Sequence, residues 1–140
     1  MIEQGLQQEI NMVMTEARNR RLEFVTVEHL LLALLNMDEV ISFLRGKRVN
    51  IDELRAELDQ YIDSHTPIIS EDAEIDIVPT VGFQRVLQRS VYQAQSAQKN
   101  SVNAMNVFVS IFSEKESHAV YMLKLNNISR LDVMEGISSH

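Results

Sequence analysis

Apolar residues recur at helical spacing along most of this chain. In the first segment Leu6, Ile10, Met14 and Ala17 mark one face, and polar residues occupy the opposite face. This pattern predicts an amphipathic helix that ends near Arg20. Two later stretches, residues 26–35 (TVEHLLLALL) and 103–112 (NAMNVFVSIF), are apolar almost throughout, which is typical of helices that are buried on every side.

The two apolar stretches are copies of one another, 77 positions apart. In order, Leu30, Leu31, Leu32, Leu34 and Leu35 match Val107, Phe108, Val109, Ile111 and Phe112. At the same offset, Leu6, Ile10, Met14 and Ala17 match Phe83, Leu87, Val91 and Ala94. Later the offset becomes 79, since Val49 matches Ile128, which predicts a two-residue insertion in a loop. The chain is therefore a tandem repeat.

Residues that can cap helices mark the predicted helix starts. Their side-chain oxygens accept hydrogen bonds from backbone N–H groups that a first turn leaves free. The predicted caps are Thr26, Asp38, Asn50, Thr80, Asn103, Ser113 and Ser129, with Glu53 and Glu116 as capping-box partners of Asn50 and Ser113. Gly46 is the predicted left-handed stop of the third helix. Gly82 is expected to loosen the first turn of the fifth helix by up to ~1 kcal/mol relative to alanine.

Eight helices in two similar halves predict an all-α chain that forms one domain. Repeat one is assigned to residues 1–64, the linker to 65–79 and repeat two to 80–140. Neither four-helix unit can cover its apolar helix alone, so the units are expected to pack about a pseudo-twofold axis with those helices near the middle. The acidic linker also carries apolar residues, which predicts that it lies along the domain surface: Ile68, Ile69, Ile75, Ile77 and Val78.

Composition excludes several classes of function. There are 13 Lys and Arg residues against 20 Asp and Glu residues, and the net charge of −7 opposes attraction to nucleic acid or anionic lipid. The chain has no cysteine, so a disulfide framework, a thiolate zinc site and a cysteine nucleophile are excluded. The amino terminus lacks the pattern of a secretory signal, and no apolar run is long enough to span a bilayer. We therefore expect a soluble cytoplasmic protein.

Residues that could carry catalysis or hold a metal are scattered. The glycines occur singly, without the glycine-rich turn and lysine of a phosphate-binding loop, and no Gly-x-Ser-x-Gly elbow of a serine hydrolase is present. The histidines are His29, His65, His118 and His140, and none has the second histidine four residues on that a helical zinc site needs. We predict no catalytic residue and no metal ligand. A small helical hydrolase or metal-dependent enzyme is the disfavoured alternative.

Five polar or charged residues lie at two predicted helix starts. Glu23 and Glu28 flank the start of the second helix, and Thr80, Gln84 and Arg85 lie at the start of the fifth. They are either caps and solvated charges or parts of a binding surface. Spacing alone does not separate these two interpretations.

Several motifs resemble those of a known family. The segments 23–29 (EFVTVEH), 83–89 (FQRVLQR), 111–117 (IFSEKES) and 129–133 (SRLDV) are similar to the double Clp N-terminal motif of ClpA-type AAA+ unfoldases. The resemblance covers essentially all 140 residues. One departure is Asn103-Ala-Met, which replaces the Thr-Gly-type start that is typical of the second repeat.

The resemblance implies a non-catalytic module that binds proteins. It implies docking of a ClpS-type adaptor, which helps to deliver protein substrates for unfolding and for degradation by the ClpP protease. Carried over by motif, the adaptor-binding residues are Glu23, Glu28, Thr80, Gln84 and Arg85. Similarity to ClpB-like disaggregases implies an alternative, direct recognition of unfolded polypeptide in an apolar groove between the two units.

A longer parent protein is also implied by the resemblance. No cofactor is expected in this domain, whereas ATP and Mg²⁺ are expected in the ATPase domains of the parent. The isolated domain is expected to be monomeric and the parent hexameric. Neither nucleic acid nor a membrane is an expected partner.

Overall fold

Helices form nearly all of the regular structure. The computed structural model describes residues 1–74 and 76–138, so Ile75 of the predicted linker and His140 at the predicted terminus lie outside the described residues. The helices in those ranges are α1 Gln4–Asn19, α2 Val27–Leu34, α3 Asp38–Gly46, α4 Ile51–His65, α5 Val81–Ser96, α6 Ala104–Ile111, α7 His118–Leu125 and α8 Arg130–Ser138. Two short strands, β1 Phe24–Val25 and β2 Val78–Pro79, pair in parallel. The prediction of an all-α domain with eight helices is confirmed.

Side-chain caps explain where most of these helices begin. Thr26, Asn50, Thr80, Asn103, Ser117 and Ser129 each accept a hydrogen bond from the backbone N–H three residues later. Each bond satisfies one of the N–H groups that the first turn leaves free and stabilises the helix by about 1 kcal/mol. The predicted caps at Thr26, Asn50, Thr80, Asn103 and Ser129 are therefore confirmed.

Two predicted helix starts are wrong. Asp38 is the first residue of α3 and not its cap, because Met37 is the extended residue that precedes the helix. The cap of α7 is Ser117 and not Ser113, because the chain continues through turns after α6. In those turns the N–H of Ser113 bonds to the carbonyl of Ser110 at 3.1 Å, and helical geometry resumes after Ser117.

Left-handed residues end four of the helices and follow the repeat. Arg21 and Gln98, 77 positions apart, have φ of 57° and 58°, and Arg48 and Asn127, 79 positions apart, have φ of 62° and 60°. In each case the N–H of the following residue bonds to the carbonyl five residues before it, as in a Schellman motif. The predicted change of offset from 77 to 79 is confirmed. Gly46 lies inside α3, so its predicted role as the left-handed stop is wrong, and Arg48 has that role.

The two halves exchange backbone hydrogen bonds. The N–H of Thr80, in front of α5, bonds to the carbonyl of Val25, in front of α2, at 2.9 Å. At the matching positions, the N–H of Glu3 bonds to the carbonyl of Val102, also at 2.9 Å. The segment before the first helix of each half thus pairs with the segment before the second helix of the other half. A pseudo-twofold axis produces this reciprocal arrangement.

The two apolar helices, α2 and α6, lie at the centre of the domain. α2 contacts α5, α6 and α7 of the second half, and α3 of the first half contacts α6. Nearly all side chains of α2 and α6 are buried. Complete burial of one Leu, Ile or Phe side chain contributes about 1.5–3 kcal/mol, so this shared core is the main source of stability. No helix in the described parts of the chain has both the length and the apolar character needed to cross a membrane.

The segment between α4 and α5 is bound to the first half. The Arg21 guanidinium donates to the carbonyl oxygens of Ile69, Ser70 and Ala73. Arg18 pairs with Asp76 at 2.9 Å, and the side chain of Ile77 is buried. These contacts hold the segment against the domain and bring β2 alongside β1.

Candidate functional site

Strand pairing brings Glu23 next to the start of α5. The N–H of Glu23 bonds to the carbonyl of Pro67 at 2.8 Å, and its carbonyl accepts from the N–H of Val78 at 3.0 Å. Two residues further along, the N–H of Thr80 bonds to the carbonyl of Val25. Glu23 is half-buried and anchored by its backbone on both sides. Its position relative to α5 is therefore fixed although the two are far apart in the sequence.

Thr80 and Gln84 organise the first turn of α5. The Thr80 Oγ1 accepts from the N–H of Phe83 at 3.2 Å, and the Gln84 side-chain amide donates to the carbonyl of Pro79 at 3.1 Å. The first turn carries no acidic residue, so the positive end of the helix dipole is not offset within α5 itself. Val81, in the same turn, is exposed. This helix start therefore combines polar groups and exposed apolar surface.

Arg85 forms a two-point ion pair with Glu114, a residue of the turn before α7. Its Nε and Nη2 donate to the two carboxylate oxygens at 3.1 and 2.6 Å, and Arg89 Nη1 lies 3.7 Å from the same carboxylate. The hydrogen bond from Arg85, with the nearby positive charge of both arginines, lowers the pKa of Glu114 below its ordinary value. Glu114 thus stays ionised. It was not among the predicted site residues.

Gly82 makes room for this ion pair. A Cβ added at Gly82 would lie 3.1 Å from Glu114 Oε1 and 3.1 Å from the Val27 side chain, closer than most real contacts of a Cβ. The absence of a side chain at this position lets the carboxylate of Glu114 approach the first turn of α5. Gly82 therefore lowers the helix propensity of α5 but allows the Arg85–Glu114 ion pair to pack against its first turn.

Glu28 lies in a different environment from the other predicted site residues. Its side chain is buried, with the residue 7% exposed, and Oε2 accepts from the N–H of Ala119 in the first turn of α7 at 2.9 Å. Because a helix leaves its first N–H groups free and carries positive potential there, a buried carboxylate is well placed. Glu28 links α2 of one half to α7 of the other.

His29 completes the start of α2. Its Nδ1 accepts from the N–H of Thr26 at 3.0 Å, while the N–H of His29 donates to Thr26 Oγ1 at 3.4 Å, which makes a reciprocal capping box. Burial, with Arg20 nearby, lowers the pKa of His29 to about 4, so the ring is neutral at pH 7. In the second half Asn103 and Asn106 form the same box. His29 is a structural residue.

An aromatic groove lies where the two halves meet. The ring of Tyr61 from α4 stacks on that of His118 from α7 at 3.8 Å between centroids, and on that of His65 at 4.0 Å. Tyr121 and Leu125, 54% and 62% exposed, line the same groove of about 290 Å³. The sequence predicted an apolar groove between the two units but not the residues that line it, because only the four-residue spacing of Tyr61 and His65 is visible locally.

Metal-binding geometry is absent from the described part of the chain: no three His, Asp or Glu side chains there are grouped so that they could hold an ion. His65 and His118 lie on opposite sides of Tyr61. Their rings are engaged in stacking with that tyrosine.

Comparison with known families accounts for this architecture. Residues 1–126 match the family described as "Clp repeat (R) N-terminal domain". This chain belongs to that family. Clp N-terminal domains are non-catalytic modules of AAA+ ATPases of the Clp and Hsp104 type.

Relatives of the Clp N-terminal domain agree in sequence or in fold. The "ClpA homolog protein" of Fuscovulum blasticum is 35% identical over 134 residues, which are 95% of this chain and 17% of that protein. The Hsp104 N-terminal domain from Candida albicans has a TM-score of 0.80 at 12% identity, with 96% of this chain and 87% of that chain covered. A complex of a ClpV N-domain with a VipB peptide has a TM-score of 0.70 at 15% identity, with 94% and 81% covered. The two structures show a common fold.

The Clp N-terminal fold separates the five predicted docking residues into two groups. Glu23, Thr80, Gln84 and Arg85 lie around the β1–β2 pair and the start of α5. Glu28, on α2, is buried against the start of α7. Their assignment to adaptor binding stays a prediction. The contact between Arg85 and Glu114 could not be predicted, because no local pattern relates residue 114 to residue 85.

Proposed function

We propose that this Clp N-terminal domain docks a ClpS-type adaptor and helps to deliver protein substrates for unfolding, and for degradation by ClpP through the full-length parent. The observation that carries the proposal is the β1–β2 pairing, which holds Glu23 against the strand that leads into the start of α5, where Thr80, Gln84 and Arg85 lie. We call this surface the docking face. Similarity to a ClpA homolog protein supports an adaptor of the ClpA system. In this proposal ATP and Mg²⁺ act in the ATPase domains of the parent.

The docking face offers a partner several kinds of contact. Glu23 supplies a carboxylate, Gln84 an amide and Arg85 a guanidinium, while Val78 and Val81 are exposed beside them. Polar groups around a small apolar centre are the usual composition of a specific protein interface. The charges suit recognition of a partner with complementary charge, and they affect the association rate as well as affinity.

Glu28 supports the docking face indirectly. Its carboxylate fixes the start of α7, and the turn in front of α7 carries Glu114, which holds Arg85. Charge reversal at Glu28 would leave a buried lysine facing backbone N–H groups and would destabilise the whole domain. A test of docking is therefore better made at exposed positions.

Calorimetric titration of the domain with a ClpS-type adaptor from the same organism tests the proposal. We expect saturable binding that Arg85→Ala and Glu23→Lys each weaken by about tenfold or more, as for charged residues at an interface. Glu135→Lys is the matched control, because Glu135 is exposed on α8, outside β1, β2 and α5. A folded domain without measurable binding would remove the proposal. Equal effects of all three variants would show that the docking face is wrongly placed.

A second candidate function is direct binding of unfolded polypeptide in the aromatic groove between α4 and α7. Tyr121 and Leu125 expose apolar surface there, next to the stacked rings of Tyr61 and His118. Exposed apolar patches of this kind commonly bind other chains. The complex of a ClpV N-domain with a VipB peptide supports peptide binding by a domain of this fold.

Fluorescence anisotropy with a labelled, permanently unfolded polypeptide tests this second function. We expect saturable binding without an adaptor, and loss of binding when Tyr121 and Leu125 are both replaced by serine. The Arg85→Ala variant, which changes the docking face alone, should bind the polypeptide normally. Polypeptide binding that survives the double serine substitution would exclude the groove.

A further inference from the structure

We propose that Glu114 is a positioning residue of the docking face, which holds the Arg85 guanidinium so that its remaining N–H groups face an acidic side chain of the partner. The inference rests on the proposed docking function and adds a residue and a partner chemistry to it. Glu114 belongs to the segment 111–117 (IFSEKES), to which none of the five predicted docking residues belongs.

The ion pair uses one edge of the Arg85 guanidinium and leaves the rest free. Nε and Nη2 donate to the two oxygens of Glu114 at 3.1 and 2.6 Å. A guanidinium has five N–H groups in a fixed plane, so a two-point bond fixes the orientation of that plane as well as its position. The side chain of Arg85 is 53% exposed and that of Glu114 is 9% exposed. The unused N–H groups of Arg85 therefore face solvent.

Glu114 is itself held in place. Because Gly82 has no side chain, the carboxylate of Glu114 lies against the first turn of α5. Arg89 Nη1 lies 3.7 Å from Glu114 Oε2. Its charge is maintained, because the hydrogen bond and charge of Arg85 lower its pKa. An ionised carboxylate that its neighbours cover and anchor is a rigid support for a long flexible side chain. An ordered arginine loses less conformational entropy when a partner binds.

The charge around Glu114 selects the partner group. Arg85 and Arg89 outweigh the single charge of Glu114, so this cluster is positive in a chain whose net charge is −7. An acidic side chain is therefore attracted to this cluster, although the net charge of the chain is negative. Arginine binds carboxylates with paired, directional hydrogen bonds. We therefore expect the partner to place an aspartate or glutamate on Arg85.

Nuclear magnetic resonance of the Arg85 Nε–H group tests the positioning role without any partner. In the unaltered domain we expect a sharp Nε–H signal that exchanges slowly with water. In Glu114→Gln, which offers one acceptor oxygen in place of two, the signal should move to the position and fast exchange of exposed arginines. Glu116→Gln is the matched control, since Glu116 is an exposed carboxylate two residues away, and it should change nothing. An unchanged Arg85 signal in Glu114→Gln would overturn the inference.

Calorimetry with the ClpS-type adaptor tests whether positioning matters for docking. Glu114→Gln should weaken binding roughly three- to tenfold, and Glu116→Gln should change it less than about twofold. In an Arg85→Ala background Glu114→Gln should cause no further loss, because Glu114 acts through Arg85. If Glu114→Gln weakened binding by the same factor with and without Arg85, Glu114 would contact the partner directly. If Glu114→Gln bound more tightly than the unaltered domain, Glu114 would compete with the partner for Arg85. Either result overturns the inference.

The two proposals fail in different ways. If the unaltered domain does not bind the adaptor, the docking function is wrong and Glu114 has no docking role to support. If the unaltered domain binds and Glu114→Gln binds equally well, docking stands and the positioning role is wrong. Circular dichroism and urea unfolding of each variant exclude loss of folding as the cause.

Discussion

Burial separates the roles of charged residues that look alike in the sequence. Glu28 is 7% exposed and bonds to a backbone N–H, whereas Arg85 is exposed and pairs with Glu114 at the surface. Removal of one partner from a buried hydrogen bond costs about 1–3 kcal/mol, while a surface ion pair contributes about 0–1 kcal/mol. Glu28 therefore acts mainly on stability, and Arg85 is free to act in recognition.

The buried carboxylate of Glu28 leads to a stability prediction. Glu28→Ala should lower the free energy of unfolding by about 2 kcal/mol, because the N–H of Ala119 loses its acceptor inside the protein. Urea unfolding at pH 7 measures this difference. Glu23→Ala should lower the free energy of unfolding by less than half as much. Glu23 is half-buried, and its side chain makes no hydrogen bond within the part of the chain that the structure describes. Equal losses in the two variants would contradict a capping role for Glu28.

The neutral ring of His29 leads to a prediction about pH. Its pKa is about 4 in the folded protein and about 6.5 in an unfolded chain. Between these values the unfolded state takes up a proton that the folded state does not, so stability falls as the pH is lowered from 6.5 to 4. The full loss from this group is up to about 3 kcal/mol, and none arises above pH 6.5.

His29→Asn isolates this contribution of the histidine. Asn106 makes the same capping box at the matching position of the second half, so asparagine preserves the geometry at residue 29. Urea unfolding at pH 7 and at pH 5 gives the change in stability for each protein. The unaltered domain should lose more stability than His29→Asn over this interval. Parallel losses would show that other groups account for the acid sensitivity.

The sequence predicts residue roles where the partner is a few positions away, and fails where it is not. Thr26 was predicted to cap α2, and its Oγ1 accepts from the N–H of His29, three residues later. Glu28 and Arg85 were predicted only as two of the five docking residues, without their contacts, because their partners Ala119 and Glu114 belong to other elements. Contacts between elements depend on packing that no local pattern records.

Helix boundaries follow local chemistry, and the left-handed stops give a further prediction. Gln98 has φ of 58°, a conformation that costs an L-residue about 1 kcal/mol and glycine nothing. Gln98→Gly should therefore raise the free energy of unfolding by about 0.5–1 kcal/mol. Gln95→Gly, inside α5, should lower it by about 1 kcal/mol. Thermal unfolding of both variants measures the contrast. A Gln98→Gly variant that is no more stable than the unaltered domain would contradict the left-handed conformation assigned to Gln98.

Elements were predicted better than their connections. Capping residues and apolar stripes are sufficient for the eight helices, because each depends on neighbours within one turn. The stop at Arg48 was missed, since a glycine two residues earlier matched the usual preference for this conformation. The strands β1 and β2 were also missed: two residues each are too short for a period of two to appear.

The whole domain should fold as one unit. Each half donates a segment to the other, and the central helices α2 and α6 are covered from both sides. We expect fragments 1–79 and 80–140 to show no cooperative thermal unfolding when separate. An equimolar mixture should recover helical circular dichroism and a cooperative transition. A cooperative transition in either fragment alone would show that one half has a sufficient core.

The pseudo-twofold axis has a consequence for how many partners one domain can engage. A symmetric scaffold presents each of its faces twice, so the docking face has a counterpart 77 positions away. There Gln8 matches Arg85, Met37 matches Glu114 and Asn100 matches Glu23. The backbone is duplicated, but the charges are not. For the proposed docking face, the divergence of these few side chains predicts that one domain binds one adaptor and not two.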